Sequence, residues 1–309
     1  MNTASLSTNR LLAYLQMMRP ANIVTAWADI LAGFAASSFL LLNLQMLGQE
    51  MLGSMMPLAW LLLATTGLYG GGVVFNDVFD AELDAKERPE RPIPSGRASL
   101  SEAVFLGSLL LSIGVVAAAQ VSWLSSILAA GIAVAALVYD AFSKHDAVIG
   151  PLNMGICRGG NLLLGVSAVP AMLGECWFLA LIPVVYIAAI TTISRGEVHG
   201  AKRINGIIAL LLIVTVIAAL LGLGLLKDYQ FLASLPFICL FAFRVLLPFI
   251  KAVREPYPDQ IRMAVKAGVL SLIVLDATVS AGFAGLLYGL LVLSLLPISM
   301  VLAKAFAVT

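Results

Sequence analysis

The stretch NDVFDAELDAKERPERPIPSG occupies residues 76–96 and lies between two long apolar segments. It concentrates three aspartates, three glutamates, one lysine and two arginines in a chain of which only 11% of the residues are charged. The chain as a whole is strongly hydrophobic, because 61% of its residues are hydrophobic. Apolar runs of about 20 residues, which is enough to span a bilayer core, recur along it. These runs are continuous rather than alternating, which favours transmembrane helices over a closed β-barrel. The sequence therefore predicts an all-α, polytopic helical bundle in the lipid bilayer.

Ten apolar segments flank this stretch on its two sides. Because residues 264–306 fit either one broken span or two, we predict nine spans, possibly ten, in a single integral-membrane domain, 1–309. A short amphipathic lead-in precedes Pro20. The segments run approximately over 21–42, 55–76, 100–118, 121–141, 149–172, 176–193, 205–226, 230–250, 264–284 and 286–306.

Basic residues are distributed unequally between the predicted loops. The loops after the first, third, fifth and seventh spans contain Lys227 as their single basic residue, whereas the N-terminal arm and the alternate loops hold most of the others. By the positive-inside rule, the N-terminus and the loop that contains 76–96 are predicted to be cytoplasmic. The net charge of +1 gives no indication of a nucleic-acid partner.

The acidic stretch itself has helical spacing. If the second span continues for a turn or two beyond the bilayer, Asn76, Asp80 and Asp84 lie at i, i+4 and i+8 on one face. Carboxylates stacked so closely repel each other unless a cation lies between them, and hard oxygen ligands favour Mg²⁺. The pairs Arg88-Pro89 and Arg91-Pro92 follow, and arginine suits bidentate contacts with phosphate. Carboxylates, a metal and arginines together predict a site for a diphosphate. The alternative is a solvated loop whose charges only set the topology.

The same stretch closely resembles the first aspartate-rich motif of the UbiA superfamily of intramembrane prenyltransferases. That motif reads Asn-x-x-x-Asp-x-x-x-Asp and is followed by an Arg-Pro element. Two further stretches are similar to elements of this family. YDAFSK (139–144) resembles its Tyr-x4-Lys element, and PLNMGICRGGNLLLG (151–165) resembles its fifth helix.

The resemblance covers nearly the entire chain and implies a bundle of nine spans around a cavity that opens to cytoplasm and lipid. It implies Mg²⁺ as the cofactor and an isoprenyl diphosphate as the substrate. Tyr139 would line the site, and Asn153 and Arg158 would bind substrate from the fifth helix. The implied metal ligands are Asn76, Asp77, Asp80 and Asp84. The residues implied to hold the diphosphate are Arg88, Arg91 and Lys144.

The second acidic motif departs from the family pattern. At the end of the sixth predicted span the chain reads TTISRGEVHGAKR (191–203), where Glu197 is the only carboxylate. Glu197 could hold a second Mg²⁺, or Arg195 and Lys202 could bind the phosphates directly. His199 is either a solvated residue or a general base. Together with RPANIVTAWADILAGFA (19–35), this stretch is similar to the EboC-type branch of the superfamily.

The charged residues Asp29, Arg158, Arg244 and Asp276 are predicted within spans, away from the span ends. Because charge in the bilayer costs several kcal/mol, these side chains either face the cavity, form structural ion pairs or reach the headgroups. Asn22 lies two turns before Asp29 on the same helical face. It could orient a polar acceptor or pair with a neighbouring helix.

Three functions fit these features. The first is an Mg²⁺-dependent prenyltransferase, in which the diphosphate leaves and an acceptor attacks the allylic cation inside an apolar cavity. The second is a terpene cyclase of the same superfamily, in which the cation closes on itself without an acceptor. The third is an isoprenoid carrier that binds a diphosphate but catalyses nothing.

Overall fold

The computed structural model describes residues 3–37, 55–197, 200 and 202–306, and within these ranges the chain is helical with no β-strand. The predicted all-α class is therefore confirmed. The first helices are α1 Thr3–Met18, α2 Pro20–Ala36, α3 Met56–Phe79, α4 Ala81–Glu87, α5 Leu100–Ala119, α6 Trp123–Val138 and α7 Ile149–Val166. The remaining helices are α8 Leu173–Cys176, α9 Leu181–Ser194, α10 Arg203–Gly222, α11 Phe231–Arg254, α12 Pro258–Ala284, α13 Leu286–Leu293 and α14 Leu295–Ala305. A π-helical turn, Tyr139–Ser143, continues α6, and 3₁₀ turns cover Pro170–Met172, Trp177–Ala180 and Leu223–Leu225.

In the described part of the chain, eight helical segments are long and apolar enough to cross a membrane. They coincide with predicted spans, and the chain is a multi-pass integral membrane protein. Gly285, at φ 88°, separates α12 from α13, so the 264–306 region is not one continuous helix. The end of the first predicted span, 38–42, lies outside the described residues, and the total of nine or ten spans stays a prediction.

Helices α2 and α12 form the centre of the bundle, and most of their side chains are buried. Helix α2 packs against both α7 and α12, α3 packs along α5, and α9 packs along α7. The outward surfaces carry large apolar side chains such as Phe105, Leu232 and Leu287, which are 70%, 82% and 82% exposed. Such an apolar exterior is what a lipid-facing helical bundle requires.

The contact between α2 and α7 depends on two glycines. A Cβ atom at Gly33 would overlap the carbonyl oxygen of Leu162, and a Cβ atom at Gly165 would overlap that of Ile30. Small residues at such positions let helix backbones approach closely within a membrane. This close contact brings the polar side chains of α2 and α7 together.

A candidate active site at one end of the bundle

A cavity of about 460 Å³ opens between these helices. One end is lined by charged and amide side chains, and the walls are apolar. The polar lining residues include Arg19, Asn22, Asn76, Asp80, Asp84, Arg88, Arg91, Tyr139, Asp140, Arg158, Asn161 and Glu197. The apolar wall includes Leu68, Ile132, Met154, Ile187, Val269 and Leu272. This division suits a ligand with a charged head and a hydrocarbon tail.

The first acidic motif reaches the cavity from the junction of α3 and α4. The backbone N–H of Asp80 donates to Asn76 O at 3.0 Å, and that of Asp84 donates to Asp80 O at 2.8 Å, so helical bonding continues through the junction. Asn76, Asp80 and Asp84 accordingly line one cavity. Helix α4 ends at Glu87 because Arg88 precedes a proline and takes an extended φ of −142°.

The structure does not bring Asp77 into the cavity, contrary to its expected role as a metal ligand. Asp77 follows Asn76 directly and points about 100° away around the helix axis. Its carboxylate instead accepts hydrogen bonds from Arg19 Nη2 at 3.0 Å and Arg91 Nη1 at 3.4 Å. It therefore ties α3 to the turn before α2 and to the loop after α4.

Basic side chains pair with the two carboxylates of the first acidic motif that line the cavity, Asp80 and Asp84. Arg91 Nη1 donates to Asp84 Oδ2 at 2.7 Å, and Lys144 Nζ forms an ion pair with Asp80 Oδ1. Lys144 itself is not part of the cavity lining, whereas Arg88 and Arg91 are. The cavity end thus carries its negative and positive groups in contact, within reach of any ligand that enters.

The π-helical turn supplies another side of this end. Tyr139 lines the cavity, and Asp140 Oδ1 accepts a hydrogen bond from Asn76 Nδ2 at 2.9 Å. Asn153, which was expected to bind substrate, does not reach the cavity. Its Nδ2 donates to Ser143 Oγ at 2.9 Å and fastens the last residue of the π-helical turn to α7.

Among the described charged residues of the second acidic region, Glu197 lines the cavity, together with the hydroxyl residues Thr191 and Ser194. Desolvation raises the pKa of its carboxyl, and the positive charges of Arg88 and Arg262 partly oppose that rise. Arg195 does not line the cavity, because its guanidinium is turned to the carbonyl oxygens of Lys144 and Asp146. Lys202 is exposed and also lies away from the cavity. His199 lies outside the described residues.

A second polar cluster lies deeper, between α2, α7 and α12. Arg158 lines the cavity, with its Nε 2.7 Å from Asp29 Oδ2 and its Nη2 donating to Thr25 Oγ1 at 2.8 Å. Asn161 Nδ2 also donates to Asp29 Oδ2, at 2.9 Å. Asp276 is buried against Asp29. Of the three readings given to these charges, Arg158 fits two, since it faces the cavity and forms an ion pair.

The other three of these charges do not face the cavity. Asp29 and Asp276 are fully buried behind Arg158, and Arg244 donates from Nε to Ser271 Oγ at 3.3 Å. Asn22 does line the cavity from the first turn of α2, as its expected role requires.

The donor set at the cavity end fits a magnesium ion in its chemistry. The amide oxygen of Asn76 and the carboxylates of Asp80, Asp84 and Glu197 are hard oxygen ligands that line one cavity. Within the described residues, no three His, Cys, Asp or Glu side chains are already gathered as a metal cage. Asp84 and Asp80 are instead paired with Arg91 and Lys144. Mg²⁺ commonly binds through one or two carboxylates, waters and substrate phosphates, so a full protein cage is not required.

Sequence reasoning missed two residues of this site. One is Arg19, whose backbone is left-handed at φ 50° and whose Nη2 donates to Asn76 Oδ1 at 3.5 Å and to Asp77 Oδ1 at 3.0 Å. The other is Asp140, which lies inside the Tyr-x4-Lys element. Its position directly after Tyr139, in a segment where charge is otherwise rare, was the available signal.

Comparisons with known proteins place these features in a family. The UbiA prenyltransferase family model matches residues 37–265. The digeranylgeranylglyceryl phosphate synthase of Methanothrix thermoacetophila is 30% identical over 243 residues, which cover 72% of this chain and 84% of that protein. The enzyme of the same name from Ignicoccus hospitalis is 29% identical over 201 residues, which cover 65% of this chain and 62% of its own length.

Solved structures share the fold. A UbiA homolog from Aeropyrum pernix K1 superposes with a TM-score of 0.65 at 17% identity, covering 83% of this chain and 96% of that one. A UbiA homolog from Archaeoglobus fulgidus bound to DMAPP and Mg²⁺ gives a TM-score of 0.62 at 16% identity, covering 91% and 99%. The similarity to the EboC-type branch stays a prediction. The family model matches most of the length of this chain, the helical fold is shared, and the first acidic motif lines one cavity. The chain therefore belongs to the UbiA prenyltransferase family.

Proposed function

We propose that this protein is an intramembrane prenyltransferase that ionises an isoprenyl diphosphate and transfers the prenyl group to an acceptor. The observation that carries the proposal is the single cavity in which paired carboxylates and cations occupy one end and apolar side chains form the walls. The relatives named as digeranylgeranylglyceryl phosphate synthases, and the Archaeoglobus fulgidus homolog bound to DMAPP, support a prenyl diphosphate as substrate.

The residues at the charged end divide into two roles. Asn76, Asp80 and Asp84, with Glu197 from the facing loop, would hold Mg²⁺, which when bound neutralises charge on the leaving diphosphate. Arg88 and Arg91 would donate to the phosphate oxygens, and Lys144 would join them on release from Asp80. Arg195 and Lys202 have no part in this assignment, because their side chains lie outside the cavity.

The walls and Tyr139 would act on the prenyl group. Water destroys an allylic cation. Apolar side chains such as Leu68, Met154 and Ile187 would leave little room for water beside a bound prenyl group. Tyr139 lines the cavity next to Asp140 and Asn76, which places an aromatic face near the end where the diphosphate would leave. An aromatic face of this kind stabilises positive charge.

We further propose that the charged end of the cavity faces the cytoplasm. Contacts between Lys144 and Asp80, and between Arg195 and the backbone at Asp146, gather three loop regions at one end of the bundle. That end carries most of the basic residues of the chain, in agreement with the positive-inside rule.

One assay separates the candidate functions. Purified protein is incubated with Mg²⁺ and prenyl diphosphates of several lengths, with and without a phenolic acceptor or a glyceryl phosphate lipid. The transferase predicts diphosphate release that depends on an acceptor and yields a prenylated product. Release of diphosphate with a cyclic hydrocarbon or alcohol, in the absence of acceptor, would show a terpene cyclase instead. Binding with no turnover under any condition would contradict both and indicate a carrier.

A further inference from the structure

Asp140 is a buried carboxylate at the cavity for which the metal and diphosphate assignments give no role. It lines the charged end, is 5% exposed and lies within the π-helical turn Tyr139–Ser143. Its Oδ1 accepts a hydrogen bond from Asn76 Nδ2 at 2.9 Å. Asn76 is the one amide in the motif that otherwise presents carboxylates.

A primary amide has two unlike ends, and only one of them can bind a cation. The oxygen accepts, whereas the NH₂ group only donates. With Nδ2 engaged by Asp140, Asn76 Oδ1 is left on the other side of the amide, where Arg19 Nη2 approaches it at 3.5 Å. A negative group at the nitrogen and a positive group at the oxygen both favour this one orientation.

The π-helical turn holds Asp140 in place for this contact. The backbone N–H of Lys144 donates to Tyr139 O at 2.9 Å, which closes the wider turn. Ser143 is fastened to α7 by Asn153, and Lys144 is fastened to the junction of α3 and α4 by Asp80. Because the turn is anchored on both neighbouring elements, the carboxylate of Asp140 cannot move away without breaking them. Single π-helical turns are frequently found at functional sites.

We propose that Asp140 is a positioning residue that fixes the orientation of the Asn76 amide, so that Asn76 presents its oxygen to the divalent cation of a bound prenyl diphosphate. This inference rests on the proposed function. Asp140 acts through Asn76 and does not itself touch the cation or the substrate. A carboxylate is suited to this position because it can only accept hydrogen bonds, which forces the NH₂ end of Asn76 towards it.

The experiment measures the Mg²⁺ concentration at which geranyl diphosphate stabilises the full-length protein against heat, for wild type and variants in detergent. Asp140→Asn can offer its own NH₂ group and let the Asn76 amide reverse. We expect it to raise the Mg²⁺ midpoint by about 10–100-fold, as loss of an outer-shell partner typically does. Glu82→Gln removes the same charge from an exposed position of α4 and is expected to leave the midpoint unchanged. Asp140→Ala is a second test if Asp140→Asn does not yield folded protein.

Two double variants separate positioning from direct binding. The double variant Asn76→Asp with Asp140→Asn exchanges the two side chains, so the amide at position 140 can donate to the carboxylate at position 76. We expect this variant to recover most of the lost affinity for Mg²⁺. In an Asn76→Ala background, Asp140→Asn should have no further effect, because the amide that it positions is gone.

Several results would overturn the inference. An unchanged midpoint in Asp140→Asn, full additivity in the Asn76→Ala background, or no recovery in the exchange variant would each show that Asp140 does not act through Asn76. If wild type shows no Mg²⁺-dependent stabilisation by geranyl diphosphate, the proposed function fails and this inference fails with it. That result is distinguishable, because it appears before any variant is compared.

Discussion

Each carboxylate at the charged end of the cavity can be tested singly, because α4 offers a matched control. We expect Asp80→Asn and Asp84→Asn to lower turnover of prenyl diphosphates by about 100-fold or more, since even outer-shell partners of a metal account for about 10–100-fold. Glu82→Gln makes the same chemical change on the exposed side of the same helix and should retain activity. Turnover is measured as released diphosphate. Near-normal rates in either aspartate variant would contradict the assignment of the first motif.

Glu197 should show its desolvation in the pH dependence of stability. Because burial raises the pKa of its carboxyl, the protonated form is favoured in the folded protein, and the ionised form costs stability at neutral pH. Glutamine cannot ionise, so we expect Glu197→Gln to have a higher unfolding temperature than wild type near pH 7 in metal-free buffer. The difference should shrink as the pH falls below about 4, where the wild-type carboxyl becomes protonated in both states. A difference that is independent of pH would contradict this account.

At the scale of single residues, the sequence predicts which residues are neighbours along one helix. It does not predict which residues of other elements will bond to them. The i, i+4, i+8 spacing was enough to predict that Asn76, Asp80 and Asp84 share a face, because helix geometry is local. The partners Arg19 and Lys144 come from other elements, so no spacing rule could assign them to Asp77 and Asp80. Arg195 and Asn153 lie near motifs in the sequence, but in the structure their side chains bond to a loop carbonyl and to the π-helical turn.

At the scale of elements, the α2–α7 contact offers a test of how tightly the cavity wall is packed. We expect Gly33→Ala to destabilise the protein by about 1–3 kcal/mol, because the added methyl group meets the backbone of α7. Gly131→Ala is the matched control, since that glycine of α6 has open space around it and alanine is the better helix former. Thermal unfolding in one detergent compares the two. Equal unfolding temperatures would show that α2 and α7 can separate without cost.

Apolar length and continuity predict where membrane helices begin and end, and most predicted spans lie within a few residues of helices in the structure. The predicted segment 205–226 corresponds to α10, Arg203–Gly222, with its short 3₁₀ extension. The π-helical turn after α6 could not be predicted from the sequence. Nothing in YDAFSK distinguishes hydrogen bonds between residues five positions apart, as in a π-helix, from those four positions apart, as in an α-helix. The turn is set by contacts that Ser143 and Lys144 make with α7 and with the junction of α3 and α4.

For the whole molecule, orientation in the bilayer is the property to test. We expect the loop at Ser95 to be cytoplasmic and the loop at Asp228 to lie on the opposite side, because α10 and α11 run to and from that distal end. Single-cysteine variants Ser95→Cys and Asp228→Cys, made after replacing the three native cysteines, are treated with a membrane-impermeant maleimide. Labelling of Asp228→Cys in intact cells and of Ser95→Cys only in inverted vesicles is the expected result. The opposite pattern would invert the proposed topology.

The buried pair of Asp29 and Arg158 has a consequence for how this protein is made. The two helices that carry it are α2 and α7, and α7 is not among the eight segments of the described chain that are long and apolar enough to cross a membrane. Each would enter lipid with an uncompensated charge, at a cost of about 2.5–3.5 kcal/mol near the bilayer centre on insertion scales. We therefore expect α2 to remain at the membrane-insertion machinery during synthesis until α7 has emerged. The two helices should then enter the lipid together, with the charges of Asp29 and Arg158 paired.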